Sequence, residues 1–359
     1  MARPSFPKSL AEFQQRFSTE ETCAAYLAHS RWPDGFLCPR CAGKQSYHLP
    51  LRRLLQCRVC GYQVSLTAGT VMHRTRVALT QWFRAAYLMT TLTPGISAVQ
   101  LQRQLGLGSY RTAWTMLHKL RKATVDPARE KLHGEVEVDD AYVGGKEEDV
   151  VGRQVETKTP VVAAVEVRGR ASGRLRLRAL GDVSATSLLP FVQDVVAPGT
   201  VVYTDGWRSY ARIGSKGYMH RMRLVRDDQD PSRALPRVHR AISNLKSWLQ
   251  GTHHGVSPKH LQPYLDEFAF RFNHRRTPMA GFQTLLGIGS HVPPVTYKML
   301  LGAPHPLDRE WGGIREPHPP TAAGTEGVRR TTGVPAAGRA FAPCLASPAR
   351  PPYTSAGVR

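Results

Sequence analysis

The alternation of apolar and polar residues is clearest in the middle of the chain. Between Gly134 and Asp139, valines alternate with acidic residues, and this period-2 pattern predicts a strand that the glycine at Gly144 then ends. A second apolar run, residues 201–204, also ends in a carboxylate, Asp205. If the two strands lie side by side, both carboxylates face one place, which is the arrangement that a hard divalent cation requires.

Further apolar runs predict the rest of a mixed sheet. Residues 160–167 and 174–180 predict two more strands, and residues 169–173 predict the turn between them. Residues 184–195 predict a helix, and residues 218–225 predict another strand. Three strands, a helix, a strand, then a strand and a helix is the order of an RNase H-like mixed sheet flanked by helices, an α/β (α+β) fold. In that fold the first and fourth strands are neighbours.

The charge of the chain indicates the kind of partner. The 359 residues include 49 Lys+Arg against 27 Asp+Glu, a net charge of +22. This excess predicts a polyanionic partner, most often a nucleic acid, although a basic protein of ordinary function from a high-GC organism is the alternative. No apolar run approaches the ~18–20 residues that cross a bilayer, and the N-terminus lacks a signal pattern. We therefore expect a cytoplasmic, nucleoid-associated protein with no membrane partner.

Upstream of the sheet, the apolar periodicity is that of helices. Residues 79–91 predict one helix, Ser97 caps a second that ends near residue 105, and residues 110–123 predict a third. The Gly-containing turn at 106–109 and the basic third helix are typical of a helix-turn-helix, with an ordinary helical hairpin as the alternative. The residues assigned here to DNA contact are Arg111, Lys119, Arg121 and Lys122.

Two C-x-x-C pairs predict a metal site near the N-terminus. An amphipathic helix predicted over residues 9–29 precedes them, and short-strand patterns typical of a zinc ribbon follow the first pair, within residues 47–66. Each pair brings two thiolates to one edge of a tetrahedral ion. Disulfides or a redox pair are the alternatives, and a reducing cytoplasm disfavours them. We therefore expect one structural Zn2+ bound by Cys38, Cys41, Cys57 and Cys60.

A later amphipathic helix offers a third group to the predicted carboxylate site. Residues 237–249 place apolar side chains at spacings of three and four, the periodicity of one helix face. His239 and Lys246 lie two turns apart on a shared face, whereas Asn244 points away from it. This favours His239 as the third site residue and Lys246 as the cation that holds a DNA phosphate. The alternative, that both residues only flank a core helix, stays open.

These patterns divide the chain into four segments. Residues 1–73 hold the N-terminal helix and the ribbon, and residues 74–130 hold the helix-turn-helix-like segment. Residues 131–300 hold the mixed-sheet domain, which closes with a helix that begins at Ser257, or near Gln262 if Pro263 delays its start. Residues 301–359 are rich in Pro, Ala, Gly and Arg without periodicity, which predicts a disordered tail.

Several motifs of the chain jointly resemble bacterial insertion-sequence transposases of the ISXO-like group, within the RNase H-like DDE superfamily. The resemblance includes the four-cysteine ribbon and covers about residues 10–297. Beyond the ribbon, the motifs lie at residues 65–70, 101–107, 138–146, 202–207, 251–261 and 268–275.

The resemblance implies cut-and-join chemistry at transposon ends, with two Mg2+ or Mn2+ ions per active site. The family's two aspartates correspond to Asp139 and Asp205, and its usual glutamate and later lysine correspond to His239 and Lys246. An imidazole is a softer ligand than a carboxylate, and it suits Mn2+ or Zn2+ better than Mg2+. Asp140 stands where many relatives have glutamate, and we expect it to contact the metal ligands and not the metal itself.

The resemblance also implies the partners of the protein. They are double-stranded DNA, both as terminal inverted repeats and as target, and further copies of the chain in a homo-oligomer that synapses two ends. Two other functions stay open, a catalytically decayed protein that only binds the ends and a structure-selective nuclease. If His239 is not the third site residue, the alternatives are Asp227, Asp228 and Asn244.

Overall fold

The described part of the chain, in a computed structural model, comprises residues 7–49, 52, 54–144, 158–223 and 234–302. None of the helices within these ranges is long and apolar enough to span a bilayer. Some features assigned from sequence lie outside the described residues, namely Asp227, Asp228, the last two residues of the predicted 218–225 strand, and the predicted tail from residue 303 onward.

Two helices, not one, precede the ribbon. Helix α1 spans Leu10–Arg16 and helix α2 spans Glu20–Arg31, so the single helix predicted over residues 9–29 is wrong. The break lies at Thr19, whose hydroxyl accepts a hydrogen bond from the Thr22 amide (3.3 Å). The Thr22 hydroxyl in turn accepts one from the Thr19 amide (3.4 Å). Such a capping box starts a new helix.

The ribbon consists of three short antiparallel strands in the order β1-β2-β3. The strands are β1 (Ser46–Leu49), β2 (Leu54–Cys57) and β3 (Gln63–Ser65). Among the described residues from 38 to 66, the buried side chains are Cys38, Cys57 and Val64. The ribbon therefore has almost no apolar core of its own.

Three helices connect the ribbon to the large sheet, and their bounds agree with the predicted ones to within one residue. They are α3 (Leu79–Thr91), α4 (Ala98–Leu105) and α5 (Tyr110–Lys122). Ser97 caps α4, as predicted, by accepting a hydrogen bond from the Gln100 amide (3.2 Å). Gly106 ends α4 at a φ of 60°, a left-handed conformation that glycine adopts without strain.

A five-stranded mixed sheet lies at the centre of the second half of the chain. Its strands are β4 (Glu135–Val143), β5 (Thr159–Arg168), β6 (Ala171–Ala179), β7 (Val201–Thr204) and β8 (Met219–Met222). The spatial order is β6-β5-β4-β7-β8, with β4 antiparallel to β5 and parallel to β7. The predicted mixed sheet is confirmed, and β4, which contains Asp139, is the neighbour of β7, which Asp205 follows.

Helices cover both faces of this sheet, which confirms the predicted α/β class. They are α6 (Ala185–Val195), α7 (Pro236–Trp248) and α8 (Leu261–Asn273). Helix α6 packs against one face with Val136 and Val138 of β4. Helices α7 and α8 pack against the other face with Ala163 and Val165 of β5.

The register of β4 decides which face its carboxylates occupy. Asp139 pairs with Ala163, and Glu137 pairs with Val165. Directly paired residues share a face of a sheet, and both partners lie in the core under α7 and α8. Strand β4 therefore turns Glu137 and Asp139 toward α7.

Helix α9 (Pro278–Gly289) belongs to a different core. Its Phe282 packs with Phe13 of α1, the two rings lying 5.5 Å apart, and with Phe83 of α3. Neither this helix nor the short α10 (Tyr297–Leu301) was predicted from the sequence. The division at residues 130 and 300 stays a prediction, but α9 completes the core of the N-terminal helices.

Candidate active site and metal centre

The four ribbon cysteines converge as the C-x-x-C spacing predicts. Their sulfur atoms all lie within 4.8 Å of one another. Cys38 and Cys60 are 3.7 Å apart and Cys41 and Cys57 are 3.6 Å apart, too far for the ~2.05 Å bond of a disulfide. Four thiolates bound to zinc at about 2.3 Å would be separated by about 3.8 Å. The cluster therefore fits a tetrahedral Zn2+ and not the disulfide alternative.

The two aspartates lie level with each other on neighbouring strands, Asp139 in the middle of β4, which runs on to Val143, and Asp205 directly after β7. Strands β4 and β7 run parallel, with Glu137 opposite Tyr203, and the same register brings Asp139 level with Asp205, directly after β7. Asp139 is 8% exposed, and Asp205 is partly exposed. The Trp207 amide donates a hydrogen bond to Asp205 Oδ1 (3.0 Å), which orients that carboxylate.

The imidazole of His239 reaches Asp139 from helix α7. Its Nε2 lies 2.9 Å from Asp139 Oδ2, and the side chain is 28% exposed. Two adjacent ligands of a six-coordinate ion with bonds of about 2.1 Å lie about 3.0 Å apart. The separation of 2.9 Å is that of a direct hydrogen bond, and it is also compatible with two ligands of one ion.

Glu137 holds the first turn of α7, a contact that sequence analysis missed. It is fully buried, and its Oε2 accepts hydrogen bonds from the amides of Arg237 (2.8 Å) and Val238 (3.0 Å). The strand that carries Asp139 therefore also anchors the helix that carries His239. The available signal was a glutamate at the same period-2 position as Asp139 in a strand that the pattern predicts to be half buried.

The opposite face of β4 brings Tyr210 to Asp140. The fully buried Tyr210 donates its hydroxyl hydrogen to Asp140 Oδ1 (3.1 Å). Burial, together with the negative charges of Asp140, Asp139 and Asp205, raises the pKa of Tyr210 well above its ordinary value. The hydroxyl therefore stays protonated as a donor. Sequence analysis did not single out Tyr210, and the supporting role expected of Asp140 stays a prediction.

Lys246 lies two turns further along α7, on the surface. The protein atoms around its ammonium group and the positive charge of Lys158 lower its pKa, whereas Asp139 raises it. The ammonium group is therefore within electrostatic reach of Asp139. Asn244, the alternative third residue, is exposed.

The four predicted DNA contacts of α5 differ in exposure. Arg111 and Lys122 are exposed, and Lys119 is half buried. Arg121 is 1% exposed, and its Nε donates to Glu267 Oε2 of α8 at 2.7 Å. The assignment of Arg121 to DNA contact is therefore wrong. This side of the helix packs against α8, where a buried carboxylate compensates the guanidinium charge.

The acidic site is less compact than the ribbon site. Among the described residues, metal-ligating atoms come within 4.8 Å of one another in a group of three or more at the four ribbon cysteines. Asp139 and His239 form a close pair, and Asp205 approaches from the adjacent strand without joining so tight a cluster. These side chains therefore lie near one another on β4, after β7 and on α7, and they do not converge on one point as the cysteines do.

Comparison with known families agrees with this architecture. Both the zinc ribbon and the RNase H-like sheet match domains of transposases. The transposase zinc-ribbon domain matches residues 18–63, and the ISXO2-like transposase domain matches residues 131–273, which include Asp139, Asp205 and His239. Together the two matches cover more than half of the chain, which therefore carries a transposase zinc-ribbon domain and an ISXO2-like transposase domain.

Two similar proteins come from distant organisms. The first, an "uncharacterized protein in transposable element ISH50" of Halobacterium salinarum, is 28% identical over 283 residues, which are 73% of this chain and 94% of that protein. The second, an "uncharacterized transposase-like protein" of Haemophilus influenzae, is 28% identical over 99 residues, which are 26% of this chain and 76% of that protein.

Proposed function

We propose that this transposase cleaves and rejoins DNA at the ends of its own insertion sequence. The observation that carries the proposal is the contact between Asp139 and His239 (2.9 Å) beside the strand that ends at Asp205. The substrates are the double-stranded terminal inverted repeats and the target DNA. A homo-oligomer brings two ends together on nucleoid DNA.

The donor atoms at this site suit divalent cations. Two carboxylates supply the hard oxygen ligands that Mg2+ and Mn2+ bind, and the imidazole shifts the preference toward Mn2+. We assign Asp139, Asp205 and His239 to the binding of two such ions. When bound, the cations activate the attacking water or 3′-hydroxyl and neutralise charge on the leaving oxygen.

Basic side chains around the site bind the DNA backbone. Lys246 lies within electrostatic reach of Asp139 and holds a phosphate beside the carboxylates. The exposed Arg111 and Lys122 of α5 bind phosphates of the transposon end, with Lys119 at the margin of that surface. Because phosphate contacts release counterions, end binding weakens steeply as the salt concentration rises.

A plasmid-nicking assay tests the proposed cleavage. The protein is incubated with Mg2+ or Mn2+ and a supercoiled plasmid that carries the cognate ends. We expect nicks at the ends from the wild type and none from Asp139→Ala, while fluorescence anisotropy shows that both proteins bind end DNA. Asp194→Ala removes an exposed carboxylate on α6 and should nick like the wild type, which makes it the matched control.

The same assay separates the other functions. If the wild type and Asp139→Ala are equally silent while both bind the ends, the protein is a decayed end-binding protein. If nicking does not depend on the terminal repeats, it is a structure-selective nuclease. Either result removes the proposed function.

The third site residue has its own test. His239→Glu should keep or improve Mg2+-supported cleavage, because a carboxylate suits Mg2+ better than an imidazole does. His239→Ala should lower the cleavage rate at least about tenfold, because even residues that only hydrogen-bond to metal ligands contribute about that much. Unchanged cleavage by His239→Ala would assign the third role to Asn244, or to Asp227 or Asp228 outside the described residues.

A further inference from the structure

Glu137 is a fully buried carboxylate within strand β4. Moving a carboxylate out of water costs several kcal/mol unless hydrogen bonds and opposite charges compensate. Its Oε2 accepts hydrogen bonds from the amides of Arg237 (2.8 Å) and Val238 (3.0 Å), and its Oε1 accepts one from the Arg237 guanidinium (2.8 Å). Arg223, next to β8, adds a positive charge 3.7 Å from Oε1. Hydrogen bonds and positive charges from the protein therefore compensate the buried charge of this carboxylate.

These hydrogen bonds replace a cap that α7 lacks. Leu235 precedes the helix and Pro236 begins it, and no side chain at these positions caps the first turn. The first amides of a helix have no partner within the helix, and Glu137 accepts from two of them. Its negative charge also meets the positive end of the helix dipole. The start of α7 is thereby held at one defined point of β4.

That point lies next to two of the proposed metal ligands. Along β4, Glu137 precedes Asp139 by two residues on the same face, a separation of about 7 Å. Along α7, Val238 directly precedes His239. Strand and helix are thus joined twice, through the first turn and through the imidazole, which lies 2.9 Å from Asp139.

We propose that Glu137 is a positioning residue of the metal site. By anchoring the first turn of α7, it keeps the His239 imidazole at ligand distance from Asp139. The inference rests on the proposed function, and it differs from a purely stabilising cap in one consequence. A cap alone changes the order of the helix, whereas a positioning residue also changes the affinity of the site for its ion.

The test compares Glu137→Gln with Glu135→Gln in the zinc-loaded full chain. Gln keeps the shape of Glu137 but removes the charge and one acceptor. Glu135 is the matched control because it lies on the same face of β4, is exposed, and accepts a hydrogen bond from the Tyr203 hydroxyl (3.1 Å). Two quantities are measured: the Mn2+ dissociation constant, from the electron paramagnetic resonance signal of free Mn2+, and hydrogen exchange of residues 234–242 without Mn2+.

We expect Glu137→Gln to speed exchange in the first turn of α7. It should also weaken Mn2+ binding about tenfold or more, the effect typical of residues that orient metal ligands, while Glu135→Gln stays within about twofold of the wild type. Faster exchange with unchanged Mn2+ affinity overturns the inference, because Glu137 then only caps the helix. Unchanged exchange, or equal weakening by Glu135→Gln, overturns it as well.

A second variant covers the case in which Glu137→Gln does not fold. Arg237→Gln removes the guanidinium from Glu137 and from the carbonyls of Gly169 and Ala171, but it keeps the hydrogen bonds that the amides of residues 237 and 238 donate to Glu137. It should therefore weaken Mn2+ binding by a smaller factor. Unchanged affinity in this variant overturns the inference. A wild type without any Mn2+ site that Asp139→Ala removes is a different result, because it refutes the proposed metal site itself.

Discussion

The ribbon and the large sheet each bring metal-ligating side chains together, by different means. The ribbon cysteines lie within residues 38–60 in two short pairs, and the described residues around them bury little besides two of the cysteines and Val64. Asp139, Asp205 and His239 lie on or next to three separate elements, and each of those elements packs in an apolar core.

The difference shows whether each region needs its metal ion in order to fold. With so small a core, the ribbon depends on its ion for stability, as small zinc domains generally do. The sheet is built by burial of apolar residues, and its ligand pair is placed by protein contacts such as those of Glu137. Removing metal should therefore unfold the first region and leave the second region folded.

Removal of zinc is the prediction with the largest effect. Structural zinc contributes about 10–16 kcal/mol in small zinc-finger peptides, so a chelator or the change Cys57→Ser should abolish the protection of residues 38–65 against hydrogen exchange. Residues 159–179 of β5 and β6 should keep theirs, since their strands pair within the large sheet. Zinc content is measured by mass spectrometry. A ribbon that stays protected without zinc would contradict the comparison.

A buried ion pair between distant segments gives the next largest effect. Arg121 and Glu267 are 1% and 0% exposed, so Arg121→Met leaves the buried carboxylate without its ion-pair partner and with only the longer-range charge of Arg271. The change should cost up to about 3–5 kcal/mol in the free energy of unfolding. The double variant Arg121→Met with Glu267→Leu should recover most of that loss. Urea unfolding of the single and double variants measures both values.

The exposed ion pair between Arg178 and Asp194 is the matched control for the buried pair. Arg178 and Asp194 keep 33% and 61% exposure, so Arg178→Met should change the free energy of unfolding by at most about 1 kcal/mol. A double variant no more stable than Arg121→Met would show that packing around Arg121, and not its charge, holds α5 against α8.

The smallest effect concerns the stability of the sheet in acid. Burial raises the pKa of Glu166, but hydrogen bonds from Arg174 and from the His133 amide outweigh it and lower the pKa to about 2. The folded pKa lies below the unfolded value of 4.5, so the contribution of Glu166 to stability is complete above pH 4.5 and is lost as the pH falls toward 2.

We therefore expect the thermal unfolding midpoint of the wild type to fall more steeply than that of Glu166→Gln between pH 5 and pH 3. The extra fall should be a few degrees, because about 1 kcal/mol shifts the midpoint of a domain of this size by about 2–4 °C. Protonation of the zinc ligands affects both proteins equally. Parallel curves for the two proteins would show that the ion pair with Arg174 adds nothing to stability.

The predictions from sequence succeeded where the signal was local. Helix α3 begins and ends where its apolar periodicity does, and Ser97 caps α4. The break at Thr19 was missed, although it is also local, because the apolar spacing continues across it and only the capping box interrupts the helix. Helix α9 was missed because its apolar residues are matched by Phe13 and Phe83, which lie far away in sequence.

The residues of the candidate site also divide into those with a local signal in the sequence and those without one. Asp139 and Asp205 could be singled out because each follows a strand pattern, and His239 because it shares a helix face with Lys246. Glu137 and Arg121 could not be placed, because a buried charge looks like an exposed one in a sequence until its partner is known. Arg237 and Glu267 are those partners, and they lie 100 and 146 residues further along the chain.

The order of residues alone determined the strands, most of the helices, the four zinc ligands and the aspartates, because periodicity and short spacings act over a few residues. Only the tertiary structure decided that Glu137 holds the first turn of α7, that α9 packs with the N-terminal helices, and that Arg121 turns inward. These outcomes depend on which distant surfaces exclude water together and which buried charges find a partner. Such choices depend on the whole packed molecule and on no single segment.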